Sequence, residues 1–185
     1  GAANGLPFAG VASRWDFVLD DRPPREEGTP AWNARVTIVT PGYLETMGIP
    51  LLRGRSFTDA DGPDDAMVGM VSRSMADRTW PDADPLGKRW GYERTDSTGA
   101  TVVEWITVVG VFADQFANRI GEEVVPEVHL PHAQVGISGY GWARAMSFVV
   151  ASDRPANAIL PEVRAAVAAF DPDLPLYSVG TLQGL

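Results

Sequence analysis

The stretch from Val39 to Phe57 leaves the backbone little choice. It reads Val39-Thr40-Pro41-Gly42-Tyr43-Leu44-Glu45-Thr46-Met47-Gly48-Ile49-Pro50-Leu51-Leu52-Arg53-Gly54-Arg55-Ser56-Phe57. Thr40 suits a helix N-cap, and Pro41 suits the first helical position, where a missing N–H costs nothing. Gly48 suits the left-handed residue that ends a helix. Ile49 to Leu52 then runs extended into a turn at Arg53-Gly54-Arg55. The segment holds no nucleophile, metal-ligand pair or phosphate loop. Nearly every position answers to backbone geometry or packing, which predicts a shape-defining module.

Patterns on either side of this segment predict a mixed order of elements. Trp15 to Asp20 and the alternating Trp32 to Thr40 read as strands, antiparallel to each other, around a Pro/Gly-broken loop at 21–30. Met67 to Val71 reads as a short buried strand. Ser72 caps a helix of about two turns, which Pro81 stops, with Met75 and Thr79 on its inner face. Thr101 to Val111, rich in Val, Ile and Trp, is the strongest strand signal. Pro126 to Pro131 reads as a strand at an edge or ladder end, because proline withholds a donor. Met146 to Ala151 reads as another strand. Asp153 suits the cap of a following helix whose stripe is Leu160, Val163, Val167 and Phe170. Pro161 makes that helix start late or kink, and Leu176 to Val179 reads as a last strand. This order lacks strict βαβ alternation, so the fold class is α+β rather than a doubly wound sheet.

A 185-residue chain with 45% hydrophobic residues has room for one sizeable domain or two small ones. Its net charge of −9 argues against nucleic acid as a partner, since that class needs a basic face. There is no cysteine, so thiolate metal sites, disulfides and cysteine nucleophiles are excluded. No run reaches the roughly 18–20 apolar residues that span a bilayer. The first residues, Gly1-Ala2-Ala3-Asn4-Gly5, and the last, Thr181 to Leu185, read as cuts within a longer chain.

Chemistry-bearing patterns are sparse. His129 and His132 are the only histidines. On an extended strand an i, i+3 pair diverges, and Pro131 blocks the helix that would align it, so no metal site is expected. The acidic run Asp59 to Asp65 departs from a calcium loop, with Gly62 too early and no closing Glu, and reads as a solvated turn. No Gly-x-Ser-x-Gly elbow is present, and no carboxylate stands in an evidently apolar setting. No cofactor loop is present: the glycine-rich run from Gly136 to Trp142 precedes a strand, not a helix. Its aromatics, Tyr140 and Trp142, are candidate partner contacts. The alternative for Trp142 is burial in the core. The six tryptophans are spread along the chain and suit packing more than a sugar platform.

Several blocks together carry a resemblance. Beside the segment above stand Val71 to Lys88, containing Trp80-Pro81 and Pro85-Leu86-Gly87-Lys88. Trp105 to Val111, Val128-His129-Leu130-Pro131, and Val163 to Val167 with Asp171 to Leu176 complete the set. In order and spacing they resemble the extracytoplasmic core domain of MacB/FtsX-type ABC transporter permeases, in particular the tandem-permease group. The resemblance runs from about Gly5 to Leu182. Ser72 stands where the family usually has Asn, and His129 where it has an aromatic.

This resemblance implies a two-lobed domain inserted between the first two membrane helices of a permease, on the periplasmic or extracellular face. Residues 1–62 and 142–185 would form a porter-like lobe, and residues 63–141 a β-rich, sabre-like one. It implies no catalytic residue, metal or cofactor. It implies a non-enzymatic role in passing ATP-driven motion across the membrane, in efflux or mechanotransmission. The implied partners are the cytoplasmic ATPase subunit acting through the parent permease, a second permease copy or half, and a periplasmic adaptor. Such an insert should have neighbouring chain ends and no deep polar pocket. The competing reading is an extracytoplasmic module that binds a peptide, lipid or sugar in a concave apolar pocket.

Overall fold

A computed structural model describes residues 1–6, 13–23, 32–115, 124–135 and 146–182. They fall into two compact units, Gly1–Val149 and Val150–Leu185.

The first unit is built on nine strands: β1 (Ala2–Ala3), β2 (Ser13–Leu19), β3 (Trp32–Val39), β4 (Leu51–Gly54), β5 (Val68–Ser72), β6 (Arg89–Thr95), β7 (Thr101–Phe112), β8 (Glu127–Pro131) and β9 (Ser147–Phe148). Their order is β2-β6-β7-β5-β8-β3-β1-β9, and β2 also pairs with β3. β2 pairs with β3 over Ser13 to Phe17 and with β6 at Val18 and Leu19. Six strands, β2, β6, β7, β5, β8 and β3, therefore close a ring. β1 and β9 prolong one side of β3 beyond β2, and β4 pairs with β7 beyond β6.

Alternation sorts the side chains between the inside of this ring and its outside. Phe17, Leu19, Ala34, Val36, Ile38, Val71, Trp90, Tyr92, Ile106, Val108, Val128 and Leu130 share one core. The helix α2 (Arg73–Thr79) adds Met75, Ala76 and Trp80 to it. Ser72 caps α2 as its sequence predicts, accepting from Met75 N at 3.2 Å. A second core lies on the opposite face of β3 and β5, where Val39, Val68, Met70 and Phe112 meet Tyr43 and Leu44 of α1 (Tyr43–Met47), with Ala3 and Phe57. The short helix α3 (His132–Val135) follows β8.

Three local expectations are corrected. α1 begins two residues later than Pro41 would start it. Its N-cap is Gly42, in the left-handed conformation at φ 78°, and Thr40 makes no cap. Thr40 Oγ1 instead accepts from Ala2 N at 2.8 Å, because β1 docks there. Gly48 does end α1 with φ 66°. Second, β8 is no edge strand: it lies between β5 and β3 and is buried throughout. Pro126 precedes the strand and Pro131 closes it, so neither proline interrupts the ladder between them. Third, β9 is only two residues long.

The second unit carries α4 (Ala156–Phe170). Its cap position is Pro155, not Asp153, and Pro161 lies inside a helix that begins well before it. As the sixth residue, Pro161 lies past the first turn and forgoes the hydrogen bond its position would give to the Asn157 carbonyl. Arg154 holds Glu162 through two hydrogen bonds of 2.8 and 2.7 Å, an exposed surface pair. Leu176 to Val179 is irregular rather than a strand.

Candidate functional site

Ionisable chemistry converges at one place in the first unit, the seam where β3 runs parallel to β8. The register sets Arg35 opposite Glu127 and Thr37 opposite His129. All four side chains point to the face covered by α1, away from the ring interior. They are buried: Arg35 is 5% exposed, Glu127 3%, Thr37 2% and His129 0%.

Glu127 is the hub. Its Oε1 accepts from Thr37 Oγ1 at 2.7 Å, lies 3.2 Å from His129 Nε2 and lies 3.3 Å from Arg35 NH2. Burial pushes this carboxyl up, but its bonds to His129, Arg35 and Thr37 outweigh that and hold it below the usual carboxylate range. The His129 ring stacks on Phe112 at 4.1 Å and meets Tyr43 edge-on at 5.7 Å. Burial, with the Glu127 charge, pushes the Tyr43 hydroxyl up to about 12, so it stays neutral. Arg35 Nε and His129 Nδ1 have no hydrogen-bond partner among the described residues. The arrangement is a sealed charge cluster whose groups hold one another. It presents no exposed nucleophile and no acid–base pair reaching solvent.

Sequence reasoning missed this cluster. The two histidines do diverge as expected, with His132 exposed on α3. His129, however, is a core residue and not a strand-end one. The available signal was Arg35 and Thr37 alternating with Val36 and Ile38, and Glu127 and His129 alternating with Val128 and Leu130. Such alternation reads as a solvated face unless another layer covers it.

Other predicted features resolve simply. In the acidic turn, Asp61 accepts both arms of Arg55 at 2.8 and 2.7 Å and the Thr58 amide at 2.9 Å. The Arg55 bonds chiefly hold its carboxyl low. Among the described residues no three His, Asp or Glu side chains come together as metal ligands. Trp80 and Trp90 are buried, and Trp15 and Trp32 pack against the same core. Trp105 lies under the Arg89 guanidinium, 5.6 Å from its ring centre. Tyr140 and Trp142 lie outside the described residues.

A family model described as the MacB-like periplasmic core domain matches residues 3–169. The chain belongs to that family. Three solved structures share its fold. The periplasmic region of MacB from Actinobacillus actinomycetemcomitans superposes with a TM-score of 0.60 at 16% identity, covering 91% of this chain and 66% of that one. A domain of a putative permease protein from Porphyromonas gingivalis gives 0.51 at 19% identity, covering 96% and 82%. The extracellular domain of the noncanonic ABC-type transporter YknZ from Gram-positive bacteria gives 0.51 at 18% identity, covering 89% and 79%. The chain thus spans just under two thirds of the MacB region. No curated protein matches it.

Membership makes this a periplasmic core domain of the MacB-like permease type, on the periplasmic or extracellular face of the cell membrane. The α+β class predicted from element order agrees with the MacB fold. No described helix is long and apolar enough to cross a membrane.

Proposed function

We propose that this domain is a non-enzymatic part of an ABC transporter permease that carries ATP-driven conformational change across the membrane, in efflux or mechanotransmission. The family match over residues 3–169 carries the reading. The geometry of the first unit supports it. Gly1 and Val149 exchange hydrogen bonds, with Val149 N donating to Gly1 O at 2.8 Å and Gly1 N to Val149 O at 3.2 Å. The chain therefore enters and leaves this unit at one place, before running on into the second unit. The sealed charge cluster further supports a domain without catalysis, since its members are at most 5% exposed.

The parent permease would work with a cytoplasmic ATPase subunit and pair with a second permease copy or half. A periplasmic adaptor is a further proposed partner, with Tyr140 and Trp142 as proposed contacts. The division into lobes, 1–62 with 142–185 and 63–141, is part of this proposal. β2, β3 and β4 pair across this division with β6, β8 and β7, so limited proteolysis tests it: a resistant fragment confined to 63–141 would support it, and one resistant fragment holding the whole ring would overturn it.

The functional test uses the full permease with its ATPase in proteoliposomes. Deleting the domain should leave basal ATP hydrolysis within about twofold while abolishing the ATP-dependent activity of the whole transporter. Retention of that activity would overturn the reading. Native mass spectrometry of the domain serves the competing reading: a stoichiometric peptide, lipid or sugar would make it a binding module.

A further inference from the structure

The geometry points to a role for the buried Arg35–Glu127–His129 cluster as a register key, which fixes β8 against β3 where hydrophobic patterning alone leaves the pairing open. This goes beyond the transport reading and stands without it.

A strand has a side-chain period of two. A slip of one residue between β3 and β8 would turn Glu127 and His129 into the ring interior beside Val36 and Ile38 and turn Val128 and Leu130 out of it, and apolar burial forbids that. A slip of two residues is different, because every side chain keeps its face. In one direction Val36 would meet Leu130 and Ala34 would meet Val128, so the interior would remain apolar. A closed ring has a fixed total stagger, so this shift must be matched at another seam, as β8 sliding against β5 would do. Nothing in the apolar pattern opposes this alternative.

The charge cluster does oppose it. The same slip would set Arg35 against His129 and move Glu127 opposite Asn33. The reverse slip would set Arg35 against Val125. Either way the guanidinium loses the carboxylate opposite it, on a face where it is 5% exposed. Buried polar pairs are best attested in this role, since a well-packed apolar replacement often costs no stability while a mispaired charge costs a great deal.

Among the described residues Arg35 is the permanent counter-charge beside Glu127, and the exposed Arg14 of β2 stands opposite Arg35 in the ladder. Arg35 and Thr37 face it from β3, His129 from β8 and the neutral Tyr43 from α1. On the neighbouring strands β5 and β7, Met70 stands opposite His129 and Phe112 stacks on it. Among the described residues the seam therefore has one strong charge pair and one register that satisfies it.

The test is NMR on the isotope-labelled 185-residue chain, in two variants. The apolar variant R35M/E127L/H129F should fold with wild-type far-UV circular dichroism. It should show doubled or broadened amide signals at residues 35–39, 127–131 and, on the other side of β8, 68–72. New cross-strand contacts should join position 35 to position 129. E127Q should show the same second set, while the wild-type chain shows one. A single sharp set with wild-type contacts in both variants would overturn the proposal. So would failure of the apolar variant to fold, because that would assign the cluster to stability rather than register.

Discussion

At the residue scale, Glu127 is the side chain on which most else depends. Removing its carboxylate strands the Arg35 charge in the interior, so E127A should lose about 3–5 kcal/mol of stability in urea unfolding at pH 7. Its carboxyl is held below the ordinary value of 4.5 in the folded chain. A depressed carboxyl stabilises fully above its unfolded value and less as pH falls through its folded one. Wild-type stability should therefore drop below about pH 4.5, and E127Q should lose that acid limb of the curve. Glu127 and His129 were visible in the sequence as residues but not as a pair with Arg35. Nothing local joins positions 35 and 127, and only the parallel ladder makes them neighbours.

Among the elements, β4 and β7 show how the glycines of two sequence blocks answer each other. Gly54 and Gly110 stand opposite in the ladder. A Cβ on Gly110 would lie 2.4 Å from the Arg55 carbonyl oxygen, and one on Gly54 would lie 2.2 Å from that of Val109. Gly54 also has φ 74°, a backbone conformation that L side chains rarely adopt. G110A should force β4 off β7 at a cost of about 1–3 kcal/mol. Hydrogen exchange should show it as lost protection of the Arg55 and Ala113 amides. Ser72 joins two elements in the same way. Its Oγ accepts from Met75 N at the start of α2 and, at 3.0 Å, from Glu127 N at the start of β8. S72A should cost about 2–4 kcal/mol, more than a helix cap alone, because two amides lose their acceptor. Elements with a strong local signal were legible: β2, β3, β5, α2 and β7 stand near their predicted places. The misreadings fell where tertiary contact overrides local preference. Thr40 was taken from its cap by β1, and the prolines around β8 were mistaken for signs of exposure although Pro126 sits just before the paired stretch and Pro131 is its last residue.

On the scale of the whole molecule, family and class were readable because the blocks keep their order. Ring closure was not, since it depends on β2 meeting both β3 and β6, contacts with no signature in composition or spacing. The adjacency of residues 1–3 and 147–149 offers a direct check. Ala2 and Phe148 are register partners next to the hydrogen-bonded Gly1–Val149 pair. The chain has no cysteine of its own to mispair. An A2C/F148C disulfide should form on oxidation and raise stability by about 3–5 kcal/mol, because it closes a very long loop. Scanning calorimetry with and without reductant would read it as a higher melting temperature. The closed circuit of strands has a mechanical corollary as well. No strand of that circuit peels away without breaking two ladders at once, so a pull on one wall spreads around the circumference, and the first unit yields to load as a stiff hoop rather than a pliable sheet.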